Sequence, residues 1–181
     1  MASTLKVNTI AHTGGTTAAT IDGTGRILQP AKPAFRVAKT DSDQTVTSGQ
    51  DTKVTFNNTI FDIGSDFGSN KFTAPVAGTY HFDAAVRVGP TVNNASFYNA
   101  QVFLKKNNNS HVMLQQIGTY ANNLGGGTAH MSLCNLGGGV TTSLAAGDEI
   151  EVWVYLQGSS PIIHYTSNNF TYTYFSGFLI G

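Results

Sequence analysis

The stretch GTYHFDAAVRV, residues 78–88, constrains what this chain can fold into more than any other. Tyr80, Phe82, Ala84, Val86 and Val88 take every second position, and Thr79, His81, Asp83 and Arg87 lie between them. A two-residue period sends the two sets to opposite faces of a β-strand, one apolar and one polar. The pattern returns with Ala100, Val102 and Leu104, and again with Ile150, Val152, Val154 and Leu156 in EIEVWVYLQ. These segments are predicted to be antiparallel strands buried on one face. Shorter strands are predicted over 35–38, 53–56, 72–74, 112–117, 129–136, 143–144 and 170–180. Roughly ten short strands with turn signals between them predict an all-β sandwich or jelly roll.

Composition supports that class. Only 11% of the residues are charged, while Gly, Thr and Asn recur, which disfavours solvent-facing helices. Lys and Arg total 10, as do Asp and Glu. With no net field to steer association, nucleic acid and an anionic membrane surface are not expected as partners. The length of 181 residues suits one principal domain with a modest appendage. The opening MASTLKVNTI has no apolar core of signal-peptide length and no run reaches a membrane span, so synthesis in a cytosol and no membrane insertion are expected. Cys134 is the single cysteine; it is read as a small buried filler rather than a reactive thiol. The four Asn-x-Ser/Thr sequons, at Asn57, Asn94, Asn108 and Asn169, are read as chance in an Asn- and Thr-rich chain.

Residues 1–33 differ from the rest. Short extended pieces (5–10, 18–21, 26–28) are broken by Gly14-Gly15 and by the run Asp22-Gly23-Thr24-Gly25, and Pro30 and Pro33 then stiffen the connection. The reading is an extended N-terminal arm over 1–33 and a β-domain over 34–181. Two Leu-Gly-Gly-Gly runs, 124–127 and 136–139, are read as exposed loop tips.

Four motifs occur in order along the second part. Phe72, Ala74-Pro75, Gly78, Tyr80 and Phe82 form the first, and the QVFLKKNN stretch, 101–108, follows. Leu144, Gly147 and Asp148 form a Leu-x-x-Gly-Asp turn, and Phe175, Gly177 and Phe178 form a terminal Phe-x-Gly-Phe. The whole resembles the globular-head family of complement subcomponent q, a relative of the tumour necrosis factor fold. That resemblance implies a ten-stranded antiparallel jelly roll assembling as a homotrimer, with its terminal strand near the threefold axis. It therefore implies that the aromatic end of the chain is shared between protomer core and trimer interface, the interface candidates being Tyr172, Tyr174, Phe175, Gly177 and Phe178. Gly177 is read as a place where another chain approaches closely.

The first 30 residues are similar to N-terminal segments of structural proteins of tailed bacteriophages, notably cyanophages. This second resemblance implies a virion component made in the host cytoplasm. Leu5, Val7 and Ile10 would dock the arm onto other virion proteins of the capsid or tail.

Little in the sequence points to catalysis. The five histidines lack a His-x-His with a downstream Glu, no Gly-x-Ser-x-Gly elbow is present, and Asp148-Glu149 occupies a structural turn. No cofactor is expected. Asp41 with Asp43 and Asp62 with Asp66 have an oxygen-rich spacing that calcium could use, and neither set follows the calcium-loop pattern. Binding is expected on the loops 89–98, 105–110, 120–128 and 157–169, with Tyr98, Tyr120 and Tyr165 as candidate receptor-binding side chains able to stack on sugar rings or anchor protein contacts. The sequence thus predicts a non-enzymatic surface knob, at a tail fibre or tip or as a head decoration, that adheres to a host glycan or outer-membrane protein. A free lectin-like bacterial protein is the alternative, and a polysaccharide depolymerase a further, disfavoured one.

Overall fold

The computed structural model describes residues 5–91, 97–118, 133–165 and 171–181. These residues hold sixteen strands. Three lie in the arm: β1 (Thr9–Ala11), β2 (Thr17–Ile21) and β3 (Ile27–Leu28). Thirteen follow: β4 (Ala34–Ala38), β5 (Gln44–Thr45), β6 (Asp51–Lys53), β7 (Asn58–Ile63), β8 (Phe67–Gly68), β9 (Lys71–Thr73), β10 (Gly78–Pro90), β11 (Phe97–Lys106), β12 (Asn109–Gly118), β13 (Cys134–Leu144), β14 (Glu149–Gly158), β15 (Pro161–Ile163) and β16 (Tyr174–Leu179). Among the strands not expected, β5, β8 and β15 have only two or three residues, too short to show a period in sequence, whereas β7 has six and lacks alternation because Ile60 and Phe61 are adjacent.

Residues 34–181 form two antiparallel sheets. One has seven strands in the order β5-β15-β10-β16-β4-β7, with β13 on the other side of β10; the second has six, in the order β12-β11-β14-β9-β8, with β6 also pairing with β14. The alternating residues predicted from β10, β11 and β14 fill the space between the sheets: Tyr80, Phe82, Val86, Val102, Leu104, Ile150, Val152 and Leu156 are all buried. An aromatic cluster anchors one end. Phe35 stacks on Phe72 at 4.9 Å and meets Phe175 edge-on at 4.9 Å, and Phe82 stacks on Phe175 at 5.7 Å. Each such ring buries a large apolar area, and truncating one to alanine typically costs about 3–5 kcal/mol.

The aromatic C-terminal strand is therefore central, between β10 and β4, and not a loose end. Its exit is pinned as well: the Thr79 N–H donates to the Gly181 carbonyl at 2.7 Å, the Ile180 N–H to the Thr79 carbonyl at 2.7 Å, and Lys32 Nζ to the Ile180 carbonyl at 3.0 Å.

Several sequence readings need correction. The arm is not merely extended: β1, β2 and β3 pair as a small antiparallel sheet, closed by Asp22, whose Oδ1 accepts from the Thr24 and Arg26 N–H groups while Oδ2 meets Arg26 Nε at 2.7 Å. Those contacts hold its carboxyl well below the usual range, the Arg26 N–H contributing most. The run Leu136 to Gly139 is no loop tip. It lies inside β13, with Leu136 buried and Gly137 opposite Ala85, where a Cβ would collide with the Ala84 carbonyl. The other Leu-Gly-Gly-Gly run lies outside the described residues. The supposed loop at 105–110 is a two-residue hairpin turn at Asn107-Asn108, with φ of 50° and 65°; asparagine tolerates that left-handed backbone, which matches strand twist in such turns. Part of the 157–169 loop is β15, with Ile162 and Ile163 buried. Cys134 packs against the core and burial pushes its thiol pKa up, as suits a filler.

The Leu-x-x-Gly-Asp turn ties three connections together. Gly147 adopts φ of 87°, and Asp148 Oδ2 accepts from the Ala145 N–H at 2.7 Å and pairs with Lys106 at 2.7 Å. Asn107 Nδ2 donates to Asp148 Oδ1 at 2.8 Å, and the Ala74 N–H donates to the Asp148 carbonyl at 2.8 Å. Lys106, then Asn107 and the Ala145 N–H, lower the carboxyl from 3.8 to about 2. A folded-state pKa below the unfolded one gives stability that is present above pH 3.8 and lost as pH falls toward 2. Asp148→Asn is accordingly expected to lower Tm at pH 7, and its difference from wild type to shrink steadily as melts are repeated from pH 4 down to about pH 2. A difference that stays constant over that range would contradict this role.

Candidate functional site

Strand β16 alternates. Phe175 and Gly177 face the core, whereas Tyr174, Ser176 and Phe178 face outward on the far side of the seven-stranded sheet. Register extends that outer face into rows. Thr141, His81, Phe178, Ala34 and Ile63 form one, and Gly139, Asp83, Ser176, Arg36 and Phe61 the next. Phe178 is 47% exposed and Phe61 46%, so two large rings point into solvent on a protomer that already has a well-filled core. Ile60, Ile63 and Ile180 are exposed as well.

The polar groups of this face are organised. His81 Nε2 lies 2.9 Å from Asp83 Oδ2 and Nδ1 lies 3.1 Å from Thr141 Oγ1, while the imidazole packs on Phe178 with ring centroids 5.4 Å apart. The Arg36 guanidinium sits 4.9 Å over the Tyr174 ring, yet its Nε is buried with no hydrogen-bond partner among the described residues. A buried unpaired donor is costly and rare in an isolated protomer. Arg87 lies 4.1 Å over the Tyr172 ring.

Of the expected interface residues, the structure brings Tyr174 and Phe178 onto one face and leaves Tyr172 beside it at the strand entry. Phe175 and Gly177 are not on it. Phe175 is wholly buried among Phe35, Phe82 and Phe56. A Cβ on Gly177 would stand 2.5 Å from Phe82 Cδ1 and 2.9 Å from Phe35 Cε1, so the close approach that requires glycine comes from the same chain. The polar set Thr79, His81 and Asp83 was legible as the second face of β10; Phe61 and Ile63 were not, because their own strand carries the extra residue Ile60 between the Arg36–Phe61 and Val37–Thr59 pairs, which breaks its alternation.

The receptor candidates are dispersed. Tyr98 stands near the start of β11 and is 43% exposed, and Tyr165 follows β15 with its N–H donating to Asp43 Oδ1 at 3.1 Å. Tyr120 lies outside the described residues. In the arm, Leu5 and Ile10 are exposed and Val7 half-buried. The acidic pairs considered for calcium are not poised for it: Lys39 holds Asp41 at 2.9 Å, Asp62 accepts from the Asp66 and Phe67 N–H groups, and burial, then the Asp62 charge, push the Asp66 carboxyl pKa up. Among the described residues no three His, Cys, Asp or Glu side chains converge as a metal cluster, and no helix is long and apolar enough to cross a membrane.

Two antiparallel sheets enclosing a core, with the C-terminal strand in the middle of one, define an all-β jelly roll. Residues 34–180 match the C1q domain, and the chain belongs to that family. Solved structures agree in fold. The globular domain of zebrafish complement 1qA protein has 22% identity and a TM-score of 0.54, covering 83% of this chain and 98% of that one. The Eiger TNF from S. frugiperda has 12% identity and a TM-score of 0.57, covering 83% and 94%. Murine APRIL has 10% identity and a TM-score of 0.52, covering 82% and 98%. Among curated proteins none matches the chain. Domains of the C1q and TNF type commonly form trimers, bind ligands and are generally not enzymes.

Proposed function

We propose that this chain is a non-enzymatic homotrimeric adhesion module, assembled through the outer face of the seven-stranded sheet and attached to a larger particle by its arm. The observation that carries the proposal is the pair of exposed rings, Phe178 and Phe61, in adjacent rows of one sheet face. A neighbouring protomer supplies the apolar cover that the two rings lack. Closed symmetry then repeats the contact without leaving an open end.

The arm supports the second half of the reading. Its small sheet carries exposed Ile10, Ile27 and Leu28, and Leu5 before the sheet is exposed too, apolar surface suited to another protein. In this reading, which rests on the resemblance of the first 30 residues to segments of phage structural proteins, the particle is a virion assembled in the host cytoplasm, with the jelly roll as a surface knob at tail or capsid presenting its exposed surfaces to a host glycan or outer-membrane protein. Three weak sites on one trimer gain avidity from their linkage. Deleting residues 2–30 is expected to leave a folded trimer that no longer enters particles, read by mass spectrometry of purified virions. Normal incorporation of the shortened protein would overturn the docking role.

A further inference from the structure

If the seven-stranded sheet is the assembly face, the outer face of the six-stranded sheet stays open to solvent in every protomer. That face carries its own aromatic pair. Phe103 of β11 is flanked in register by Trp153 of β14 and Met113 of β12. Trp153 Nε1 donates to Glu151 Oε2 at 2.8 Å, Lys53 pairs with Glu151 at 2.6 Å, and the Lys105 ammonium lies 3.9 Å over the Trp153 ring while pairing with Asp51 at 2.9 Å. The aromatic pair is thus clamped from one side by a charge network.

The other side is open. A cleft of about 280 Å³ lies against Phe103, with Met113 on one wall and Gln101, Ser110, His111 and Asp51 among its polar lining. The β11–β12 ladder shifts register twice, between Val102 and Phe103 and between Leu104 and Lys105, on either side of the Phe103–Met113 pair. Such bulges re-aim side chains and recur next to binding sites. Neither the Gln101 amide nor the Ser110 hydroxyl makes a side-chain hydrogen bond among the described residues, and His111 spends one ring nitrogen on Thr142 Oγ1 at 3.0 Å. Phe103 beneath the cleft is only 6% exposed, so the apolar contact it offers is chiefly Met113; an apolar side chain flanked by amide and hydroxyl groups is complementary to a ring with an apolar C–H face and polar hydroxyl edges. The volume falls at the small end of ligand sites, which span about 300–1,000 Å³. It suits one sugar ring rather than a chain. No lysine or arginine lines the cleft, and Lys105, which pairs with Asp51 of its lining, is also held over Trp153, so an acidic sugar finds no free lysine or arginine there.

We infer that the cleft over Phe103 binds a single neutral pyranose residue, its C–H face on Met113 and its hydroxyls on Gln101, Ser110 and His111. This rests on the adhesion reading and names its ligand class and site, which is not the loop tips carrying Tyr98 and Tyr165. One sugar ring binds weakly, and the trimer would present three such clefts on its outward sheets.

The test titrates full-length protein with methyl α-glucoside, methyl α-mannoside, N-acetylglucosamine and, as the acidic control, N-acetylneuraminic acid, followed by NMR shifts or calorimetry. At least one neutral sugar is expected to bind and N-acetylneuraminic acid not to. Gln101→Ala should weaken binding by about 5–10-fold, the effect of one hydrogen bond. Met113→Arg, at a side chain 49% exposed and so tolerated by the fold, should fill the cleft and reduce binding by more than 10-fold. Both variants should sediment as wild type does. Absence of binding by every neutral sugar, a preference for N-acetylneuraminic acid, or neutral-sugar binding untouched by Met113→Arg would each overturn the cleft assignment. The last result leaves the adhesion reading intact, because sugar then binds elsewhere; a wild-type protein that sediments as a single chain overturns the trimeric reading whatever the titration shows.

Discussion

Gly177→Leu is expected to leave little folded protein. The added Cβ alone meets Phe82 and Phe35 at 2.5 and 2.9 Å, and both rings are fixed by stacking on Phe175 and Phe72. With no flexible tip to give way, the strain falls on β16 itself, the strand holding β10 and β4 together. Overpacking a well-filled core costs about 1–3 kcal/mol and sometimes more, out of a total stability of about 5–15 kcal/mol. Four added carbons in a space with no room for one belong at the high end. A large fall in Tm, or inclusion bodies, is the predicted result, and Gly177→Ala should show a smaller fall. A Gly177→Leu protein that keeps the wild-type Tm and only loses its oligomeric state would instead restore the sequence-based expectation that the glycine faces a neighbouring chain.

Phe178→Asp, one residue later, is expected to do the opposite. Its side chain points away from the core, so each protomer should keep its far-ultraviolet spectrum and a cooperative melt. The trimer should not survive. Burying a phenylalanine side chain contributes about 1.5–3 kcal/mol, the interface repeats threefold, and a carboxylate in its place adds a desolvation cost without a partner. Each 1.4 kcal/mol is tenfold in a dissociation constant, so dissociation at micromolar concentration is the predicted outcome in analytical ultracentrifugation. Phe61→Asp, in the adjacent row of the same face, should act the same way. A Phe178→Asp protein that remains a trimer would place the interface elsewhere.

The contrast between neighbouring residues shows where reading the sequence stops. The period-two pattern of β10, β11 and β14 made the core legible residue by residue, because each has one face wholly buried. The shorter strands β5, β6, β8 and β15 were misplaced, or hidden in presumed loops, because two or three residues carry no period. Gly137 to Gly139 resembled a loop because glycine weakens strands, yet they lie in β13, where crowding against the Ala84 carbonyl excludes a larger residue at Gly137. For the assembly face, the aromatic identity of the C-terminal strand was visible but not its phase. Nothing local to Phe175, Gly177 and Phe178 says which of them looks inward; that is decided by Phe35 and Phe82, far away in sequence. The cleft over Phe103 was invisible for the same reason, since it depends on two register shifts that only the pairing of β11 with β12 reveals.

Sedimentation equilibrium of the purified full-length chain between about 1 and 50 micromolar, concentrations at which a stable oligomer of nanomolar affinity stays assembled, bears most directly on the proposed assembly through the outer face of the seven-stranded sheet. A single species of three times the mass of one chain, converted to one chain by Phe178→Asp, is the predicted result. Wild-type protein that remains one chain throughout that range, with Phe178 and Phe61 left in water, would contradict it.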